Sequence, residues 1–399
     1  MPAEQPPAAA ISTAASAVVP SPETRHIPSL DGLRGLAILM VMLLHGFEVN
    51  PGSSRLLHII AELLNCGRYG VDLFFVLSGF LITGILIDTR HDAHYFKRFF
   101  GRRALRILPL YYAVLLLLLA LTPIVHFAWQ GMAPYFLLYI QNFRPIQLND
   151  FTLYPGPVGL YHLWSLAIEE QFYLVWPWIV FLLAGSQRRV AWTCLFGSLA
   201  ILALRLYLLA TGTASWQFLL MSSITRADSL LIGGLLAALY RSAPAWRRVQ
   251  AFAPITFIAL ASGFFTYLFA TDSFQTSGRY WSQGCNFTVL ALGFAALLAW
   301  TVTPHSLPAH VFSQAWLRWL GKYSYGLYVL HVPLFACLSL PLRTHFNALF
   351  ANRFLAVILT AAVLFTLAIA LAWCSFRFFE SRFLSLKRLF AYQQIDPAR

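Results

Sequence analysis

Charge is what this sequence has least of. Asp, Glu, Lys and Arg make up 11% of its 399 residues, against about 25% in an ordinary soluble domain. A soluble chain of this length needs far more polar surface to cover its core, so one large soluble domain is excluded. Cysteine is also sparse. The five cysteines are scattered at irregular spacing and form no metal motif. Cys66 and Cys285 both fall near one predicted membrane face, where a disulfide would be permitted. The N-terminus lacks a basic segment followed by an apolar core, so no cleaved signal peptide is expected. Its first 28 residues, rich in Ala, Pro and Ser, predict a disordered tail.

What is abundant is apolar. Hydrophobic residues account for 59% of the chain, and they fall in runs of about 18 to 22, enough to cross a hydrocarbon core of roughly 30 Å. The runs predict an all-α polytopic membrane protein with spans near residues 30–50, 70–88, 107–122, 163–184, 190–210, 223–240, 251–270, 282–300, 323–342 and 354–374. The segment between the third and fourth spans is irregular. Its aromatic piece, Pro134 to Gln141, is too short to span and predicts a re-entrant or interfacial helix. Most of the 28 Lys and Arg lie in alternate connecting segments, the pattern that puts both termini in the cytoplasm. The net charge of +13 is therefore topogenic, and nucleic-acid binding has no further support. The organisation expected is a tail (1–28), a membrane domain (29–383) and a short cytoplasmic tail (384–399). The basic stretch Phe376–Phe390 predicts an interfacial anchor rather than a catalytic element.

Ionisable residues inside spans cost about 2.5–3.5 kcal/mol each to insert, so each invites a functional reading. Arg34 and His45 lie on the first span. Eleven residues apart, they share a helix face to within about 20° and stand roughly 16 Å apart along the axis. Asp31 is placed to pair with Arg34 at i,i+3. Singly, each fits a snorkelling arginine or an interfacial histidine; aligned on one helix, they favour function. His162, Glu169 and Tyr173 are predicted to share a face of the fourth span. The adjacent Glu169 and Glu170 need partners, and Arg205 and Arg226 are available, although Arg226 also has Asp228 nearby. Arg103 and Arg106, one turn apart, match phosphate oxygens or serve only as topology signals. Ser324, Tyr328 and His331 form a polar stripe on the ninth span, with His331 a second candidate base or a packing hydrogen bond.

Six segments then come in order: Ser29-Leu-Asp31-Gly-Leu-Arg34-Gly with His45, Gly70-Val-Asp72 through Ser78-Gly79-Phe80, Arg103-Ala-Leu-Arg106, Trp164-Ser165-Leu-Ala-Ile-Glu169 through Tyr173, Arg226-Ala-Asp228 through Gly233, and Ser324-Tyr325-Gly-Leu-Tyr328-Val-Leu-His331. Together they resemble membrane acyltransferase family 3, whose members O-acylate sugars and related hydroxyl compounds. The resemblance implies about ten helices in a bacterial inner-membrane setting and a cytosolic acyl-CoA donor, with acetyl-CoA the expected form and no metal. It implies His45 as catalytic histidine with Arg34 as companion, Arg103 and Arg106 against the CoA phosphates, and Glu169 as the motif carboxylate. The acceptor would be a carbohydrate or small hydroxylated compound. Some members carry an esterase-like extramembrane domain. These 399 residues have no room for one, which leaves open a separate acyl-accepting partner protein. The rival reading is a glycan transporter or flippase, distinguished by whether CoA thiol is released.

Overall fold

The computed structural model describes residues 27–47, 55–125, 127–129, 131–148, 159–271 and 280–392. The predicted N-terminal tail lies almost wholly outside these residues, as does the Pro-Gly-Pro turn of the irregular segment.

In chain order the helices are α1 (Pro28–Gly46), α2 (Arg55–Asn65), α3 (Gly70–Asp88), α4 (Tyr95–Val125), the short α5 (Ala133–Leu137) and α6 (Phe143–Leu148), and α7 (Trp164–Leu182). They continue with α8 (Gln187–Thr211), α9 (Trp216–Met221), α10 (Ser223–Tyr240), α11 (Ala243–Thr271) and α12 (Tyr280–Val302). The last are α13 (Leu307–Phe312), α14 (Ala315–Phe350), α15 (Arg353–Ser375) and α16 (Ser381–Ser385). No strand occurs among the described residues. All ten predicted spans appear as helices. Among the described residues, nine helices meet the length and hydropathy needed to cross a membrane; α7, diluted by Glu169, Glu170 and Gln171, falls short of that hydropathy. Helices suit this setting because each satisfies its own backbone polar groups without water.

Large apolar side chains point outward from the bundle, among them Leu117 on α4, Leu174 and Trp178 on α7, Phe196 on α8, Ile255 on α11 and Leu371 on α15. That surface suits lipid and would be an aggregation liability in water. Inside, two helix crossings set the architecture. At the first, α1 meets α14 with almost no side chain between them. A Cβ at Gly35 would lie 2.0 Å from the Leu317 carbonyl oxygen, and one at Gly321 would lie 1.8 Å from that of Asp31. At the second, α3 meets α10, where a Cβ at Gly79 would stand 1.9 Å from the Leu230 carbonyl oxygen. Glycine is therefore required at both crossings. The motif glycines hold backbones together rather than serving the chemistry directly.

The irregular segment is built into the protein. Met132, Phe136, Gln141 and Asn142 are fully buried. Gln141 donates to the Leu163 carbonyl at 2.7 Å, and Asn142 to that of Met221 at 3.0 Å. Non-helical backbone at membrane depth is tolerated only when buried in this way.

Candidate active site

A cavity of about 310 Å³ opens between α1, α3, α4, α7 and α14. At one end stand five cationic side chains: Arg34 of α1, Arg102, Arg103 and Arg106 of α4, and Lys387 from beyond α16. Among the described residues, Glu169 is the one carboxylate on the wall. Arg34 pairs with Asp31 at 3.0 Å, as the i,i+3 spacing predicts. Arg103 has its guanidinium 4.2 Å from the centre of the Tyr173 ring, and its Nε is buried without a hydrogen-bond partner. Neither Arg103 nor Arg106 has an ion pair among the described residues. Lys387 lies within electrostatic range of all four arginines. A confined excess of positive charge is stable only if water or an anion meets it.

Further in, the wall is hydroxyl-rich. The Tyr173 hydroxyl donates to Ser78 Oγ at 2.8 Å, and Ser78 Oγ donates to Glu169 Oε1 at 2.5 Å. Across the cavity the Tyr328 hydroxyl donates to the His162 carbonyl at 2.6 Å and lies 2.5 Å from Ser165 Oγ.

Tyr328 belongs to two places. It lines the cavity, and it also packs on a cluster of three histidines. His45 Nδ1 lies 3.1 Å from His331 Nε2. His331 Nδ1 faces the Leu327 and Tyr328 carbonyls at 2.8 and 2.9 Å. His162 Nε2 faces the Tyr328 carbonyl at 2.9 Å, and its ring centre is 5.2 Å from that of His331. Tyr161 packs edge-on against His45.

Of the residues singled out in the sequence, the structure gathers Arg34, Arg103, Arg106 and Glu169 on one cavity wall. His45 is not on that wall; it stands in the histidine cluster, joined to the cavity through Tyr328. Ser324 and Tyr328 of the polar stripe line the cavity, while His331 joins the cluster. The face expected to unite His162 with Glu169 breaks, because His162 sits in a 3₁₀ turn, Tyr161–Leu163, ahead of α7. The His162 ring packs on Tyr328 and His331, while Glu169 faces Ser78 in the cavity.

The expected ion pairing is also different. Arg226 bonds Asp72 of α3 at 2.6 Å, not its neighbour Asp228. Asp228 instead holds Arg205 of α8 at 2.6 Å. Neither arginine reaches Glu169 or Glu170. Residues two apart on a helix point to nearly opposite sides, so Arg226 and Asp228 serve different neighbours. Cys66 and Cys285 are both free thiols, so the permitted disulfide is not formed.

Three cavity residues escaped the sequence reading. Arg102 sits in the same basic run as its neighbours, and nothing in spacing singles it out. Lys387 lies within the stretch read as an interfacial anchor, and Tyr392 just after it. That stretch folds back on α4, where Phe390 covers Gly101 and Tyr392 stacks under the Arg102 guanidinium at 5.1 Å. A glycine at 101 in an otherwise bulky basic run was the available signal.

The family profile for an acyltransferase domain, Acyl_transf_3, matches residues 27–376. The chain is 32% identical over 84% of its length to YrhL of Bacillus subtilis (strain 168), provisionally named a peptidoglycan O-acetyltransferase, and covers 52% of that protein. It is 29% identical over 78% of its length to the peptidoglycan O-acetyltransferase OatA of Listeria monocytogenes, covering 49% of it. It is 30% identical over 78% of its length to the O-acetyltransferase OatA of Staphylococcus aureus, covering 51% of that protein. The chain thus spans about half the length of the curated relatives it matches. No solved structure matches it. A multi-pass bundle in a cell membrane, matched along most of its length by this profile, belongs to acyltransferase family 3.

Proposed function

We propose that the chain is an O-acyltransferase that moves an acetyl group from cytosolic acetyl-CoA to a hydroxyl of a carbohydrate, with a cell-wall glycan as acceptor. The observation that carries the donor assignment is the cavity end where Arg34, Arg102, Arg103, Arg106 and Lys387 meet, with Glu169 the one wall carboxylate among the described residues. Guanidinium forks one turn apart bind phosphate oxygens bidentately. The cavity is at the small end for ligand pockets, which run about 300–1,000 Å³. It suits a slender acyl-pantetheine arm, with the nucleotide phosphates held at the cationic mouth. The mouth faces the cytosol in this reading, consistent with the distribution of Lys and Arg along the chain. The acceptor class follows the names of the relatives.

In the step itself, the acceptor oxygen attacks the thioester carbonyl carbon while His45 takes the hydroxyl proton. The tetrahedral intermediate collapses with cleavage of the C–S bond. The proton passes from His45 to the departing sulfur, leaving the ester and free CoA thiol. Arg34 sits where the arm enters, and Glu169 holds Ser78 and, through it, Tyr173 along the path. Reaching His45 requires the acyl end to pass Tyr328 and Ser165. Transfer is direct in this scheme, with no acyl-accepting partner protein.

The test is purified protein in proteoliposomes supplied with radiolabelled acetyl-CoA and glycan fragments. CoA thiol should appear in step with acetylated glycan, which no transporter would produce. His45→Ala should insert normally and retain about 1 per cent of the rate or less, the usual size of a general-base contribution. Full activity in that variant would remove His45 as base. Glycan acetylation from another acyl donor but not from acetyl-CoA would remove the donor assignment.

A further inference from the structure

We propose that His331 is a positioning residue that fixes the tautomer of His45, leaving Nε2 of His45 as the basic nitrogen. The proposal rests on the reading of His45 as general base. It starts at two backbone carbonyls. Leu327 and Tyr328 turn their oxygens to His331 Nδ1 at 2.8 and 2.9 Å. Carbonyls only accept, and a nitrogen lone pair aimed at both would be repelled, so His331 Nδ1 carries the proton. A neutral imidazole has one donor and one acceptor nitrogen, so His331 Nε2 holds the lone pair. That lone pair faces His45 Nδ1 at 3.1 Å, which must donate to it. The remaining lone pair lies on His45 Nε2.

Burial decides which of the three rings can use a lone pair. His331 is 0% exposed and His162 3% exposed, whereas His45 is half-buried. Both nitrogens of His331 are already committed within the cluster. His162 donates from Nε2 to the Tyr328 carbonyl, and its Nδ1 is buried with no protein partner. Of the three rings only His45 is part-exposed, so its Nε2 lone pair is the one an acceptor can approach. The Tyr328 carbonyl accepts from both His162 and His331, so the backbone of α14 sets the whole chain of donors. When His45 Nε2 takes the acceptor's proton, the ring's positive charge is shared with Nδ1–H, and its bond to His331 becomes charge-assisted and stronger. His331 touches no reacting atom and acts only through His45.

Three variants measured beside wild type test this. His331→Phe keeps the ring volume and removes the acceptor; His331→Gln places an amide oxygen near the position of Nε2. The Phe variant should lose about 10–100-fold in kcat, the range typical when the outer hydrogen-bond partner of a metal-bound imidazole is removed. Its KM for acetyl-CoA and its melting temperature in detergent should stay at wild-type values. The Gln variant should recover most of the rate, and His45→Ala supplies the floor. In protein labelled with ¹⁵N-histidine, the signal absent from His45→Ala should report an Nδ1-protonated ring in wild type and lose that preference in His331→Phe. Wild-type kcat in His331→Phe with an inactive His45→Ala would overturn this proposal and leave the general base standing. So would a Gln variant as slow as Phe while equally stable. An active His45→Ala would instead take down the base assignment and this proposal with it.

Discussion

Arg205 and Arg226 are buried where α8, α10 and α12 meet, and each has a carboxylate at 2.6 Å, Asp228 and Asp72 respectively. Arg205 also donates to the Gly284 and Thr225 carbonyls and to Thr288, and Arg226 stacks on Phe287 at 3.7 Å. Arg103 and Arg106, on α4, are half-buried in the same bundle and form no ion pair among the described residues. One residue type thus serves two ends. Where acid and base were brought in together, the charges are spent on each other and the region is structural. Where five cations converge on a cavity with few acids, the donors of Arg103 and Arg106 remain available to a ligand. An arginine in a membrane span is a functional candidate by default; its partner decides whether the candidacy survives.

The strongest way to break this comparison is to unpair the structural side. Asp228→Ala would leave the Arg205 guanidinium buried without its anion, a loss of about 3–5 kcal/mol for a broken buried pair. The expected outcome is a sharp fall in monodisperse protein after detergent extraction. Asp72→Leu alone should behave similarly, and Asp72→Leu combined with Arg226→Met should recover abundance, since an apolar pair replaces a buried ion pair at little cost. If Asp228→Ala folds normally yet loses acyl transfer, that region is not merely structural and the contrast fails.

On the cavity side the effect should move from abundance to donor binding. Arg103→Ala and Arg106→Ala should express like wild type, because neither arginine is held in a close ion pair among the described residues. Each should weaken acetyl-CoA binding by about 10–100-fold, corresponding to roughly 1.5–3 kcal/mol for hydrogen bonds to a charged group. Lysine at either position should recover part of it, keeping the charge and losing the fork. Wild-type donor affinity in both alanine variants, measured by titration calorimetry, would return these arginines to topology signals.

How much of this was legible depended on distance along the chain. Asp31 and Arg34 were readable as a pair because one helix carries both. The partner of Arg226 was not, since Asp72 is 154 residues away and the decoy Asp228 is only two. The ten helices followed from apolar runs, nine of them apolar enough to cross among the described residues, and Arg34, Arg103, Arg106 and Glu169, named from separate motifs, line one cavity. The junction between His45 and His331 could not be read, because it spans 286 residues and depends on where α1 and α14 cross. The glycines that set this crossing were visible as motif letters, but only the backbone contacts explain them. Helix periodicity also misled at His162, where a 3₁₀ turn begins before the α-helix does.

The finest version of the comparison lies within the C-terminal fold-back, between adjacent cations. Lys387 is on the cavity wall, and Arg388 is exposed to solvent. If proximity to the cavity governs donor binding, Lys387→Ala should raise the KM for acetyl-CoA by about 2–5-fold, a partly exposed ion pair being worth up to about 1 kcal/mol. Lys387→Arg should hold the wild-type value, and Arg388→Ala should leave KM unchanged. Raising ionic strength should shrink the Lys387 effect, because the Debye length falls from about 10 Å at 0.1 M salt to about 3 Å at 1 M. Equal KM increases in Lys387→Ala and Arg388→Ala would mean that the whole basic stretch attracts the donor as a diffuse field. The fold-back would then be a source of charge rather than part of the donor site, and the cavity's cationic end would reduce to its four arginines.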